Sequence, residues 1–300
     1  MAMRSASASS MKLLLLLLLA SSVSIAALAA SSTEAGGGGD DEAALLAFKA
    51  AAAAHGGGAL ASWTRRNGTA GSFCGCLPSR GLAGVLSPAI GNLSSLRLLN
   101  LSSNALSGGI PASLGRLRRL RVLDLSYNAF SGALPAANLS SCAGLTVMAL
   151  RFNRLRGHVP SELGDRLAHL RVLDLRGNSL AGTVPASLSN LSSLRVLDLG
   201  FNRLAGAIPP GLGGLRRLRY LNLLKNTLSG EPPASLYNLS SLERLQLQGN
   251  VLRGGIPADI GGRFPSMVVL SFSENEFTGS IPASLSNLTT LQVLDLSPIF

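Results

Sequence analysis

Aromatic residues are scarce in this 300-residue sequence, 4% of the total, and charged residues make up only 14%. Any core is therefore built from Leu, Val, Ile and Ala, within an apolar fraction of 47%. Three cysteines exclude a disulfide-dense scaffold, and the lack of clustered Cys/His pairs excludes a zinc-finger array. His55, His158 and His169 have no spacing to one another or to cysteine that fits a metal site. There is no Gly-x-Ser-x-Gly elbow and no paired-carboxylate arrangement, so no catalytic residue, metal or cofactor is expected. Lysine is confined to Lys12, Lys49 and Lys225, so arginine carries nearly all of the formal charge of +11. Those arginines are spread along the chain rather than packed into a run, which argues against a nucleic-acid partner.

Long hydrophobic runs are missing too, except at the start. Arg4 and Lys12 precede the apolar run Leu13–Leu19, and Ala27-Leu28-Ala29 offers a small-residue cleavage site. A basic lead, a short apolar core and a small-residue exit predict a secretory signal peptide over residues 1–29, with an uncleaved anchor as the alternative and Met11 as a second possible start. Losing Arg4 and Lys12 leaves 24 basic against 15 acidic residues, a net charge of +9. No later apolar stretch reaches 18 residues, so any membrane attachment would need a span beyond the sequence given.

What is present in quantity is a repeat. The run L-x-x-L-x-L-x-x-N recurs with its Asn at Asn104, Asn128, Asn153, Asn178, Asn202, Asn226, Asn250 and Asn275, spaced by 24 or 25 residues. Leu or Phe follows two residues after each Asn, Gly four after and Pro seven after, without a miss. Such a period predicts a solenoid in which each coil buries its apolar face against its neighbours. Leucines two apart, such as Leu123 and Leu125, point to one side of a short strand, and stacked coils place these strands in a parallel sheet. The Asn, with donor and acceptor on one side chain, can satisfy backbone groups where the coil bends. Pro stops helix at its own position, and Leu188 with Leu191 gives the apolar spacing of a short helical return.

Over residues 77–297 the pattern L-x-x-L-x-L-x-x-N-x-L-x-G-x-I-P resembles the plant-type leucine-rich repeat, as found in the ectodomains of plant leucine-rich-repeat receptor-like kinases. The resemblance implies an α/β repeat solenoid, a horseshoe or superhelix with a parallel β-sheet on the concave face and short helical or 3-10 returns. Residues 30–76 resemble the family's N-terminal cap, through Asp40-Asp41-Glu42 ahead of Leu45 and Phe48, and through Leu60-Ala61-Ser62-Trp63. Gly36–Gly39 and Gly56–Gly58 read as flexible joints.

Two places depart from the family pattern. The cap's two bridged cysteines are replaced by Cys74-Gly75-Cys76, too close for an unstrained disulfide. Leu82, Gly84 and Leu86 keep the register of a first coil, but the positions expected to be apolar in its strand are Ser72, Gly75 and Leu77. This coil is expected to lack most of its strand half, through a missing segment or an unusual cap. At the other end Leu294 and Leu296 are in register and Pro298-Ile299-Phe300 break it, so the ninth coil is expected to be cut short. No kinase motif is present, so the chain as given is expected not to be an enzyme.

Side chains flanking the strand leucines should face outward on the concave surface. Tyr127, Arg151, Phe152, Arg176, Phe201, Tyr220 and Lys225 are the candidate ligand contacts, since exposed aromatics beside arginine bury area at low entropic cost. Arg97, Arg121, Arg171, Arg195 and Arg219 recur seven before the Asn, and Asp124, Asp174, Asp198 and Asp295 recur four before where the Asn falls or is due. These columns read as a solvated, mutually stabilising charge ladder. Asn-x-Ser/Thr glycosylation sequons occur at Asn67, Asn92, Asn100, Asn138, Asn190, Asn238 and Asn287. Asn92, Asn190, Asn238 and Asn287 share one position on the return segment, where glycans would shield one flank. Cys142 reads as a small buried residue. The resemblance implies an extracellular recognition module for a peptide or protein ligand, with a co-receptor kinase as a further partner. The alternatives are a secreted inhibitor of pathogen cell-wall hydrolases and the front fragment of a receptor Ser/Thr kinase.

Overall fold

The computed structural model describes residues 81–297 and the backbone of the strand Cys74–Cys76. The expected signal peptide, most of the cap, Asn67, His55, any Cys74–Cys76 pairing and the tail 298–300 lie outside the described residues.

Each coil contributes one three-residue strand to a ten-stranded, all-parallel sheet running from Cys74–Cys76 to Val293–Asp295. The register repeats from coil to coil: Leu197 lies opposite Leu173 on one side and Leu221 on the other. In the strands from Leu98–Asn100 to Val269–Ser271 the middle residue points inward, so Leu99, Leu123, Leu173, Leu197 and Leu221 are fully buried in one continuous core. Burying a Leu side chain contributes roughly 1.5–3 kcal/mol, and here the burying surface comes from adjacent coils. Cys142 belongs to this core: its Sγ meets Leu114 O at 3.4 Å, and burial pushes its thiol up to about 11.

A nine-stranded parallel sheet, which the repeat pattern alone did not announce, is built by Ala83–Val85 and by the segment after each repeat Asn. Its strands, such as Ala129–Gly132 and Ser179–Gly182, bury the Leu or Phe two after the Asn. The chain then turns at the Pro into returns that are mostly 3-10 helices, among them Ala186–Asn190 and Ala234–Asn238. Neighbouring returns touch closely: a Cβ on Gly115 would stand 2.2 Å from the carbonyl oxygen of Asn138.

The Asn column performs the bonding its chemistry implied and ties coils together as well. Asn128 Nδ2 donates to Leu101 O (2.9 Å) in the preceding coil and to Leu125 O (3.1 Å) in its own, while its Oδ1 accepts from Leu106 N (3.0 Å).

The first coil does contribute a strand. Cys74–Cys76 forms a strand paired with Leu98–Asn100, and Gly75 stands at the register position of Leu99. A parallel ladder is made by backbone groups, so the missing apolar side chain does not prevent pairing. Among the described residues no helix is long and apolar enough to cross a membrane.

Candidate recognition surface

The strands of the larger sheet end four residues before each repeat Asn, and the two residues just before the Asn form its edge. The residue immediately before Asn is left-handed in coil after coil, with φ of 55° at Tyr127 and 52° at Phe152, Phe201 and Lys225. For a side chain other than Gly this conformation costs roughly 1–2 kcal/mol. Backbone bonds to the next coil offset it, including Tyr127 N to Arg151 O (2.8 Å) and Phe152 N to Arg176 O (2.7 Å).

At this edge five candidate residues come together. The rings of Tyr127 and Phe152 stack with centroids 4.9 Å apart and planes 17° from parallel. The Arg151 guanidinium lies 5.2 Å from the Tyr127 ring, and that of Arg176 lies 5.6 Å from Phe152 and 4.9 Å from Phe201. Gly177 makes the arrangement possible, because a Cβ there would stand 2.5 Å from Phe152 Cδ1. Tyr127 and Phe152 remain exposed, at 45% and 36%. Each cation–ring contact is worth roughly 0.5–2 kcal/mol, so the strip is held in shape before any ligand arrives.

Two of the candidates are not where the sequence put them. Arg176 and Tyr220 are buried, each 3% exposed, rather than presented to solvent. Coils stacked at strand spacing let neighbours close over them: Arg176 fits between two rings, and the Tyr220 hydroxyl reaches between Asp198 and Gln246. Lys225 stands apart from the strip. Its stem passes over Gly249, and its ammonium pairs with Glu274.

The charge ladder is also corrected. Asp124, Asp174 and Asp198 are buried, and each Oδ1 accepts from the backbone N–H two residues on (Ser126, Arg176 and Gly200, at 3.0, 3.2 and 3.1 Å). Asn100 and Asn222 make the same bond in the same column. This position therefore caps the end of the strand. The arginine column lies three residues earlier, with Arg121, Arg171, Arg195 and Arg219 exposed. Among the described residues, Arg219 alone of that column pairs with an acid, Glu243 at 3.2 Å.

Beneath the strip, Asp174 and Asp198 occupy paired positions on adjacent strands and are 5% and 4% exposed. Burial first, then the charge of Asp198, pushes Asp174 up to about 8, against the pull of Arg151, whose guanidinium is 3.6 Å away. Burial raises Asp198 as well, and Arg176 opposes it. Tyr220 has one hydroxyl proton and two acceptors, Asp198 Oδ2 (3.3 Å) and Gln246 Oε1 (3.0 Å), while Asn222 Nδ2 donates to its oxygen (3.2 Å). All three contacts are hydrogen bonds when Asp198 is protonated and donates to Tyr220, which then donates to Gln246. Asn222 and Gln246 were not among the sequence candidates, and Asp174 and Asp198 figured there only as part of a solvated charge ladder. Their signal was available, since the residue four before Asn must share the sheet face with the residue six before.

The sequons fall into separate places. Asn92, Asn190, Asn238 and Asn287 each end a return helix and are exposed. Asn138 is exposed on Ala136–Leu139, whereas Asn100 is half-buried on a strand of the larger sheet.

Family profiles match at three places: "Leucine-rich repeat region" over residues 125–253, "Leucine rich repeat" over 80–130, and a second leucine-rich repeat profile over 266–288. The chain belongs to the leucine-rich repeat family. Among solved structures this leucine-rich repeat chain is similar to the plant peptide hormone receptor RGFR1 in complex with RGF2, at 39% identity and TM-score 0.69, over 72% of this chain and 34% of that one. It is similar to the Arabidopsis receptor kinase HAESA ectodomain in complex with an IDA peptide hormone, at 36% identity and TM-score 0.68, over 73% and 36%. A plant ice-binding protein matches at 26% identity and TM-score 0.70, over 85% of this chain and 84% of that one. The chain thus spans about a third of the receptor ectodomains it matches. Comparison with curated proteins returns no match.

Proposed function

We propose that this leucine-rich repeat chain is an extracellular recognition module that binds a peptide or protein segment along Tyr127, Arg151, Phe152 and Phe201, with the buried Arg176 holding the rings of Phe152 and Phe201 in place. The observation that carries this reading is the preformed strip itself: two stacked, exposed rings with guanidiniums packed against them. Rigid aromatics present large contact area with little rotamer entropy to lose, and arginine adds donors for peptide carbonyls and carboxylates. The similarity to peptide hormone receptors supports a peptide over other ligands. The reading is of binding and not of catalysis, because the paired carboxylates Asp174 and Asp198 are enclosed and committed to backbone N–H groups.

Random peptides displayed on phage and selected on the purified protein test this. Selected peptides should bind the Phe152→Ala variant at least tenfold more weakly, a loss of about 1.4 kcal/mol. Peptides that bind the variant as well as the parent would place the site elsewhere.

We further propose that Asn92, Asn190, Asn238 and Asn287 carry N-glycans along the return row. Glycopeptide mass spectrometry of the protein secreted from plant cells should find this row occupied, and uniformly bare asparagines there would refute it.

A second reading is a self-standing secreted protein that blocks a hydrolase; similarity over most of both chains to a plant ice-binding protein supports the self-standing part of it alone. Capture of a cell-wall hydrolase, unaffected by Phe152→Ala, would support it over the first.

A further inference from the structure

The arginine column left without its aspartates forms a feature of its own. It runs along the edge where each coil enters the larger sheet, one residue per coil, joined through the backbone. Arg121 N donates to Arg97 O (2.7 Å), Thr146 N to Arg121 O (2.8 Å), Arg171 N to Thr146 O (2.8 Å), Arg195 N to Arg171 O (2.8 Å) and Arg219 N to Arg195 O (2.9 Å). This pairing fixes the step between successive positions at the parallel-strand spacing of about 4.8 Å. Four of the five arginines are exposed and Arg97 is half-buried. Among the described residues, no carboxylate forms an ion pair with Arg97, Arg121, Arg171 or Arg195. The column ends where Glu243 takes the next position and pairs with Arg219. The result is a single-file row of arginines across six coils, interrupted once, at Thr146.

We infer that this edge is a docking surface for a linear acidic polysaccharide of the polyuronate class. A polyuronate carries one carboxylate on each sugar ring, so its charges repeat in single file, as the guanidiniums do. Guanidinium and carboxylate are both planar and meet in a two-bonded fork, so arginine is the suited residue and lysine, confined to three positions in the sequence, is not required. Releasing counterions condensed on the polymer drives such binding and makes it fall with salt. Duplex DNA presents two phosphate strands around a wide cylinder and matches one single-file row poorly. This surface lies apart from the aromatic strip, and its test is independent of the peptide reading.

The experiment measures binding of sodium polygalacturonate to the purified protein at low ionic strength, with fully methyl-esterified polymer and duplex DNA as comparisons. Polygalacturonate should bind, weaken steeply with added salt, and outcompete DNA, while the esterified polymer should not bind. The triple variant Arg121→Gln, Arg171→Gln, Arg195→Gln should bind at least tenfold more weakly. Arg154→Gln, Arg156→Gln, Arg203→Gln changes the charge equally at exposed positions of the smaller sheet and should stay within twofold of the parent. Because Arg121 also donates to Gly144 O (2.9 Å), the double variant Arg171→Gln, Arg195→Gln guards against a folding effect and should lose at least threefold. Equal losses in the two triple variants, equal or tighter binding of DNA, or no binding of polygalacturonate to the parent would each overturn the inference.

Discussion

Replacing Asn226 with Leu should lower the unfolding free energy by about 3–5 kcal/mol, since each buried polar group stripped of its partner costs roughly 1–3 kcal/mol. The Nδ2 of Asn226 donates to Leu199 O and Leu223 O at 3.1 Å and to Leu224 O at 3.3 Å, and its Oδ1 accepts from Leu204 N at 2.9 Å. Leucine keeps the branched outline, though it is bulkier, and supplies neither donor nor acceptor, and added apolar area does not solvate three carbonyls and an amide. The groups left bare belong to two coils, so the defect weakens a coil and its interface together. Thermal melting followed by circular dichroism should show a drop on the order of 10 °C for a chain of this size. A drop of a degree or two would mean that water replaces the side chain and that the ladder holds nothing.

The second large effect is a dependence on pH opposite to that of ordinary carboxylates. Asp174 is pushed up to about 8 in the folded chain, against about 3.9 when unfolded, and Asp198 is raised beside it. Acids raised in the folded state bind protons more tightly there. The contribution of Asp174 to stability is complete below about pH 4 and is lost as pH rises through about 8, and that of Asp198 runs in the same direction. The pair should therefore make the protein less stable at pH 8 than at pH 5. Asp174→Asn keeps the backbone bond, as Asn100 and Asn222 do at the equivalent position, and removes the charge. At pH 8 the variant should be more stable than the parent by about 2–4 kcal/mol, and its melting temperature should fall less between pH 5 and 8 than the parent's, the remaining fall coming from Asp198, which its own burial keeps raised. A parent protein that gains stability from pH 5 to pH 8, with the variant below it throughout, would show both acids ionised and held by Arg151 and Arg176.

The repeat carried most of the architecture in plain view. An Asn, Gly and Pro that never miss their positions fix the coil length, and paired leucines fix which side chains enter the core. Tyr127, Arg151, Phe152, Arg176 and Phe201 were identifiable as one surface because solenoid positions are equivalent by construction. The smaller sheet was less visible, since four residues around a Gly carry too short an alternation to separate strand from turn. Burial of Arg176 and Tyr220 depends on what the neighbouring coils offer, namely the gap at Gly177 and the acceptors Asp198 and Gln246. Those are contacts between positions 22 to 26 residues apart, and a repeat consensus assigns a position to a face without saying what leans across it. The ladder of Arg and Asp failed for the same reason: three residues apart along the chain, one column caps strands inside the sheet face and the other lines its edge.

Hydrogen exchange measured with and without a peptide selected on the protein tests the account most directly. Bound peptide should slow exchange in the segments 122–128, 147–153, 172–178 and 196–202, which carry the strip and the acid pair beneath it. The smaller sheet and the return helices should exchange as before. Protection confined to those other segments, with the four strip segments unchanged, would contradict the assignment of this face as the recognition surface.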